Sequence, residues 1–171
     1  MTTVVHSFFR DHQELKAVLE KSNEISLLQT AEDSLRKSLA LAAGSYFEYE
    51  ISNLLAQFAA NKSNNCAELV GFIKNKALNR QYHSLFNWDA RNANTFFGLF
   101  GEEFKKLAQE DVKKFQSLND SVKSFLELGE LRNMVAHQNF ASFATDKTSD
   151  EIFSSFKIAL EFLEYLKKKL I

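Results

Sequence analysis

Apolar residues recur at helical spacing through most of the chain. Over Val4–Lys21 the side chains Phe8, Leu15, Val18 and Leu19 share one face, and Arg10, Asp11, Glu14 and Lys16 lie elsewhere, which predicts a first amphipathic helix. A longer pattern follows. Ala31, Leu35, Leu39, Ala42, Tyr46 and Tyr49 form one stripe, and Ala43, Phe47, Ile51, Leu54 and Phe58 form a second. Together they predict about thirty residues of helix apolar on two sides, the signature of a central element. Its start is ambiguous, because the apolar pattern opens at Ile25 and Leu27, ahead of a capping signal at Thr30. The small run Ala42-Ala43-Gly44-Ser45 permits close approach by a neighbouring helix or subunit.

Residues 61–65 are polar and predict a connection, after which Cys66, Leu69, Val70, Ile73 and Ala77 mark a short amphipathic helix. Residues 79–101 read NRQYHSLFNWDARNANTFFGLFG, dense in aromatic rings and asparagine, and predict short helical turns packed over a bundle. A helix over 102–112 follows, with Phe104, Leu107 and Ala108 inward, and Asn119 or Asp120 is placed to cap the next one. That helix carries the stripe Val122, Phe125, Leu128, Leu131 and Val135, widened by Leu126 and Met134. After a loop over 138–146, Thr148-Ser149-Asp150-Glu151 has capping-box spacing. The last helix then buries Ile152, Phe156, Ala159, Leu160, Leu163, Leu166 and Leu170, with Phe153 and Phe162 left for a second contact or a dimer surface. The expected class is all-α, a bundle of four to six helices with a short aromatic-rich helical insertion, forming a single domain over 1–171.

Composition sharpens this picture at three points. Proline is absent and glycine occurs five times, which suits long helices joined by short turns. Seventeen phenylalanines imply a bulky aromatic core. The single cysteine, Cys66, excludes an intramolecular disulfide and a thiolate metal cluster, and it reads as a small buried residue. The net charge of -1 leaves no global footprint for nucleic acid, so any RNA site must be local. Lys167-Lys168-Lys169 reads as a solvated last turn favoured by the helix dipole. No secretion signal and no apolar run of about 20 residues is evident, so a cytoplasmic protein without a membrane span is expected.

Candidate chemistry concentrates in Glu130-Leu131-Arg132-Asn133-Met134-Val135-Ala136-His137. Arginine is a permanent cation with a forked donor set that matches phosphate, and histidine titrates near neutrality, so the pair suits phosphodiester chemistry without a metal. Arg132 and Asn133 lie off the apolar stripe, and Gly129 and Ala136 beside them leave room for a phosphate or a partner helix. A glycine within a helix costs about 1 kcal/mol relative to alanine, so Gly129 needs a reason. Elsewhere, His6 and His12 stand about 240° apart round a helix and are expected at the surface. No Gly-rich phosphate loop, helical H-E-x-x-H or carboxylate-rich metal loop is present, which disfavours ATP-driven and zinc-dependent chemistry. No metal or cofactor is expected.

The R-x4-H run at the end of the penultimate helix, with Asn directly after Arg, resembles the signature of the HEPN superfamily. The N-x-F-F-G-x-F-G arrangement at 94–101 resembles an element of its RiboL-PSP-type subgroup. The resemblance implies a helical bundle that dimerises, bringing two copies of the motif into one metal-independent endoribonuclease centre. Arg132, Asn133 and His137 would then be catalytic, and Glu48 or Glu50 candidate assisting acids. It also implies RNA as substrate, with a toxin-antitoxin or antiviral setting and an antitoxin or other partner protein. One HEPN toxin group has a tyrosine two positions after the histidine; Asn139 stands there, which puts control by modification at that position in doubt.

Two other readings stand beside it. The chain can be a noncatalytic helical dimer that binds RNA or a partner protein, with Arg132 and His137 as structural groups. A small-molecule-binding bundle would need a preformed apolar pocket near Trp88. In 79–101, Arg80, His83 and Arg91 among rings and amides match the mixture that contacts single-stranded RNA, but the density of Phe and Trp fits a structural lid better.

Overall fold

The computed structural model describes residues 2–171. Among them are no strands. The elements are α1 (Val4–Lys21), α2 (Ile25–Lys62), α3 (Ala67–Ile73) running into a π turn (Lys74–Leu78), α4 (Tyr82–Leu85), α5 (Asn94–Gly98), α6 (Glu102–Lys114), α7 (Gln116–His137) and α8 (Ser149–Leu170). The all-α bundle expected from the periodicity is present, with α4 and α5 as the aromatic-rich insertion.

Helix α2 is central because it is apolar on two sides, and α1, α7 and α8 all pack on it. Leu35, Leu39, Ala40, Ala43, Phe47, Ile51 and Leu54 are among its buried positions. Helices α7 and α8 pack along each other, and Phe125 of α7 meets Phe47 at 5.2 Å and Phe162 of α8 at 5.1 Å between ring centres. Fully burying one such ring contributes about 1.5–3 kcal/mol, so these contacts fix the three helices together.

Local signals locate the helix ends. Thr148 Oγ1 accepts from the Glu151 backbone N–H at 3.2 Å, and Glu151 Oε2 accepts from Thr148 N–H at 2.8 Å, the reciprocal cap expected before α8. Asn64 and Asn65 turn the chain after α2 at φ of 52° and 61°, and Gly101 opens α6 at φ 95°.

Several expectations are corrected. Helix α2 begins at Ile25, with the apolar pattern and ahead of Thr30. Helix α7 begins at Gln116 because only Phe115 breaks the helical path, so Asn119 and Asp120 lie inside it and cap nothing. Phe162 is fully buried among Phe97 and Phe125 and is not a dimer surface, whereas Phe153 stacks on Phe9 at 4.0 Å. Leu15, Val18, Leu107 and Met134 are exposed, as is Cys66. No residue of α3 is buried, so its apolar face lacks the cover that periodicity suggested. His6 is half-buried against Phe153 and Phe156, and His12 Nδ1 lies 2.9 Å from the Phe8 carbonyl, so neither is the free surface residue expected.

The bundle carries an acid-sensitive seam. Asp111 of α6 receives Lys169 Nζ at 2.8 Å and the Tyr165 hydroxyl at 3.0 Å. The Lys169 bond, outweighing partial burial, holds its carboxyl below the usual range. For Glu32 burial acts upward, but bonds from Lys16 and Ser149 together win and lower it. Burial, aided by Lys157, lowers His6. Each folded pKa lies below its unfolded value, so the unfolded chain binds more protons over the window between the two. Stability is therefore expected to fall as pH drops below about 6.5 through His6, and more steeply below about 4 through the carboxylates. Thermal melts from pH 7 to pH 3 check this, and Asp111→Asn should flatten the lower limb.

Candidate active site

The site forms where α7 crosses the middle of α2. Gly44 has no side chain, and the aliphatic stem of Arg132 lies directly against it: a methyl group at position 44 would sit 2.5 Å from Arg132 Cγ and 2.7 Å from its Cβ. This explains the small run of α2. The close approach it permits is by the arginine of α7. Glu48 follows Gly44 by one helical turn and so stands on the same face. Its Oε2 accepts from Arg132 Nη2 at 2.8 Å, and Arg132 Nη1 donates to Asn133 Oδ1 at 3.1 Å.

These bonds orient the guanidinium more than they stabilise the fold. The two side chains of the ion pair are 27% and 38% exposed, and a pair this accessible contributes about 0–1 kcal/mol. What it does is set direction. Two donors point at Glu48 and Asn133, and the rest of the planar fork has no partner among the described residues.

His137 is the last residue of α7 and exposed, with no side-chain hydrogen bond among the described residues. Five residues of helix place it about 140° round the axis and about 7.5 Å along from Arg132. Arg132, Asn133 and Glu48 are thus joined in one network, and His137 of the same chain is outside it. The connection after His137 is strapped to α2. Arg36 donates to the Thr145 carbonyl at 3.2 Å, the buried Lys37 ammonium lies 5.4 Å from the Phe140 ring centre, and Ser149 Oγ donates to Glu32 at 2.6 Å.

Glu50, the other candidate acid, lies elsewhere. It pairs with Lys167 of α8 at 3.3 Å. Two residues along a helix turn the side chain by about 200°, so α2 can present only one of the two acids to Arg132, and that one is Glu48.

In the aromatic segment the lid reading holds for most rings. Phe86, Phe96 and Phe97 are buried, with Phe86 stacked on Phe96 at 4.5 Å. Trp88 is half-buried and lies over Gly129, so close that any Cβ there would collide with its six-membered ring. This is the reason for the glycine, and it corrects the expectation that Gly129 leaves space for a phosphate. Trp88 Nε1 donates to the His83 carbonyl at 2.9 Å, which fixes the indole plane. Arg80, His83 and Arg91 are all exposed, and no bond among the described residues joins their side chains to the Arg132 network. Arg80 sits in the left-handed region at φ 60°.

Gly129→Ala is expected to displace Trp88. Overpacking costs about 1–3 kcal/mol, more than the roughly 1 kcal/mol that alanine gains in a helix. A lower melting temperature and red-shifted emission check it, cleanly because the chain has one tryptophan.

The RiboL-PSP-HEPN family matches residues 7–171 of the chain. The chain belongs to that family. In this RiboL-PSP-HEPN domain the R-x4-H run therefore occupies the end of α7, with its arginine seated on the long helix α2. No curated protein and no solved structure matches it. Among the described residues no group of three or more His, Cys, Asp or Glu side chains could hold a metal ion, and no helix is long and apolar enough to cross a membrane.

Sequence reasoning missed two members of the site region. Gly44 was legible only as a small residue, without its partner. Tyr82 stood in the sequence only as one ring of the mixture suited to RNA contact; it is buried on α4 with its ring centre 5.5 Å from that of Trp88.

Proposed function

We propose that the protein is a metal-independent endoribonuclease whose centre is completed by a second copy of the chain. The observation that carries this reading is the Arg132 guanidinium, seated on Gly44 and aimed by Glu48 and Asn133 at an accessible surface, with His137 exposed at the end of the same helix. Membership of a HEPN family supports it. Because Arg132 and His137 diverge by about 140° on one helix, a second motif facing the first supplies what one chain does not hold together.

In the reaction, one His137 removes the proton of the ribose 2'-hydroxyl as its oxygen bonds to phosphorus. The bond from phosphorus to the 5'-oxygen breaks, and the imidazolium so formed gives that oxygen its proton, leaving a 2',3'-cyclic phosphate and a 5'-hydroxyl. Arg132 stabilises the charge that grows on the non-bridging oxygens, and Asn133 orients it. Glu48 holds the guanidinium in register. A role in defence or as a toxin, with a partner protein that restrains it, is compatible with this chemistry.

Incubation of labelled RNA with the protein in EDTA tests the proposal, with Arg132→Ala and His137→Ala as controls that must remain folded. RNA left intact by the wild type over a broad substrate panel, or cut equally by all three proteins, sinks it and leaves a noncatalytic RNA- or protein-binding dimer.

A further inference from the structure

A second set of polar groups stands idle away from Arg132. Residues of α5, α6 and α7, with the turn before α5, line an open cavity of about 350 Å³, within the range of small-molecule sites. Its floor is apolar, with Phe97 and Val122 buried and Val112 half-buried. Round that floor stand Arg91, Asn92, Asn94, Gln109 and Lys113, and no acidic residue lines the cavity. In a chain of net charge -1 this is a local excess of cation. Gln109, Val112 and Lys113 share one face of α6, as residues three and four apart do.

The fold makes little use of these groups. Lys105 of the same helix pairs with Glu102 at 3.3 Å, whereas Lys113 and Arg91 have no ion-pair partner among the described residues. The Asn94 and Gln109 side chains make no hydrogen bond there either. Asn92 Oδ1 accepts from the Asn94 backbone N–H at 3.1 Å, which leaves the Asn92 amino group as a donor. Exposure is graded: Arg91 and Lys113 are exposed, Asn94 and Gln109 half-buried. Charge therefore stands outermost and the amides nearer the apolar floor.

That order fits an unpaired nucleotide, with its base inward and its phosphate outward. A side-chain amide offers a donor beside an acceptor, the match for N6 and N7 of adenine, whereas carboxylates accept from cytosine. We propose that this cavity is an adenine-reading subsite for single-stranded RNA, the base on the apolar floor, its edge bonded by Asn94 and Gln109, and its phosphate held by Arg91 and Lys113. The assignment rests on RNA being the substrate. Arg91 also lines the adjoining cavity, which reaches Trp88 and Glu130, so the two depressions lead along α7 towards Arg132, about 15 Å from Val122 in the axial direction.

The test titrates the protein with uncleavable 2'-O-methyl oligouridylate and with the same strand carrying one central adenosine, guanosine or cytidine, followed by fluorescence anisotropy. The adenosine strand should bind about tenfold tighter than the other three, as one bidentate base contact provides. Asn94→Ala and Gln109→Ala should each erase most of that preference, which a merely structural amide would not govern. Lys113→Ala should instead weaken all four strands alike and lessen the salt dependence. Equal affinity for the four strands, or a preference that survives both amide variants, overturns the subsite and leaves the ribonuclease reading to its own cleavage assay. Failure of every strand to bind overturns the subsite as well, and where RNA is also left uncut the ribonuclease reading falls with it. A second measurement does not depend on the variants folding. In 15N-labelled wild type the adenosine strand should shift the side-chain amide resonances of Asn94 and Gln109, and saturation without that shift overturns the contact. Adenosine monophosphate that shifts them where the strand does not marks a free-nucleotide site and overturns the RNA assignment.

Discussion

Arg132→Ala is expected to reduce RNA cleavage about 10²–10³-fold, the usual effect of removing a donor aimed at charge that develops in a transition state. Stability should change little. The guanidinium is 27% exposed, its partner Glu48 38% exposed, and truncation leaves the carboxylate in contact with water, where an unpaired charge costs little. Separate readouts make the prediction discriminating: melting temperature near wild type, cleavage rate far below it. Arg132→Lys should recover only part of the activity. An ammonium can reach Glu48, but it has no planar fork with which to hold Asn133 and a phosphate oxygen at once. Equal activity of wild type and Arg132→Ala would remove this residue from the reaction.

His137→Ala should cost about 10²–10⁴-fold, the range for a positioned general acid or base. Being exposed and terminal in α7, it should melt like wild type. Mixing it with Arg132→Ala then asks where the two residues of one centre come from. If each centre takes its arginine from one copy and its histidine from the other, half of the dimers are mixed and each holds one intact centre, so about a quarter of the wild-type activity returns. If both residues act within one chain, every centre in the mixture stays defective and nothing returns. The divergence of Arg132 and His137 round α7 leads us to expect recovery, measured after subunits have exchanged.

The particular residues show why some parts of this protein are legible in its sequence. Helix α1 spans Val4–Lys21 as its stripe implied, and the cap at Thr148 opens α8 where its spacing placed it. Both are local, written in neighbours three or four residues apart. Errors arose where burial depends on what lies opposite. Leu107 and Met134 have inward periodicity but are exposed, whereas Phe162, left open between a second contact and a dimer surface, fills the centre of the core. Cys66 was assigned to the interior by type alone and is exposed.

The site divides in the same way. The candidate chemistry was legible in Arg132, Asn133 and His137, because residue type and spacing suffice to pick out a cation matched to phosphate and a histidine on one helix. Sequence alone also determined the all-helical class, since periodicity, absent proline and capping are properties of short segments. Only the tertiary structure decided that Arg132 rests on Gly44, that Glu48 and not Glu50 receives it, and that Gly129 belongs to Trp88. The physical reason is that a helical repeat tells which side of its own helix a residue occupies. It does not tell which helix crosses there or at what register, and the bond from Arg132 to Glu48 joins positions 84 residues apart.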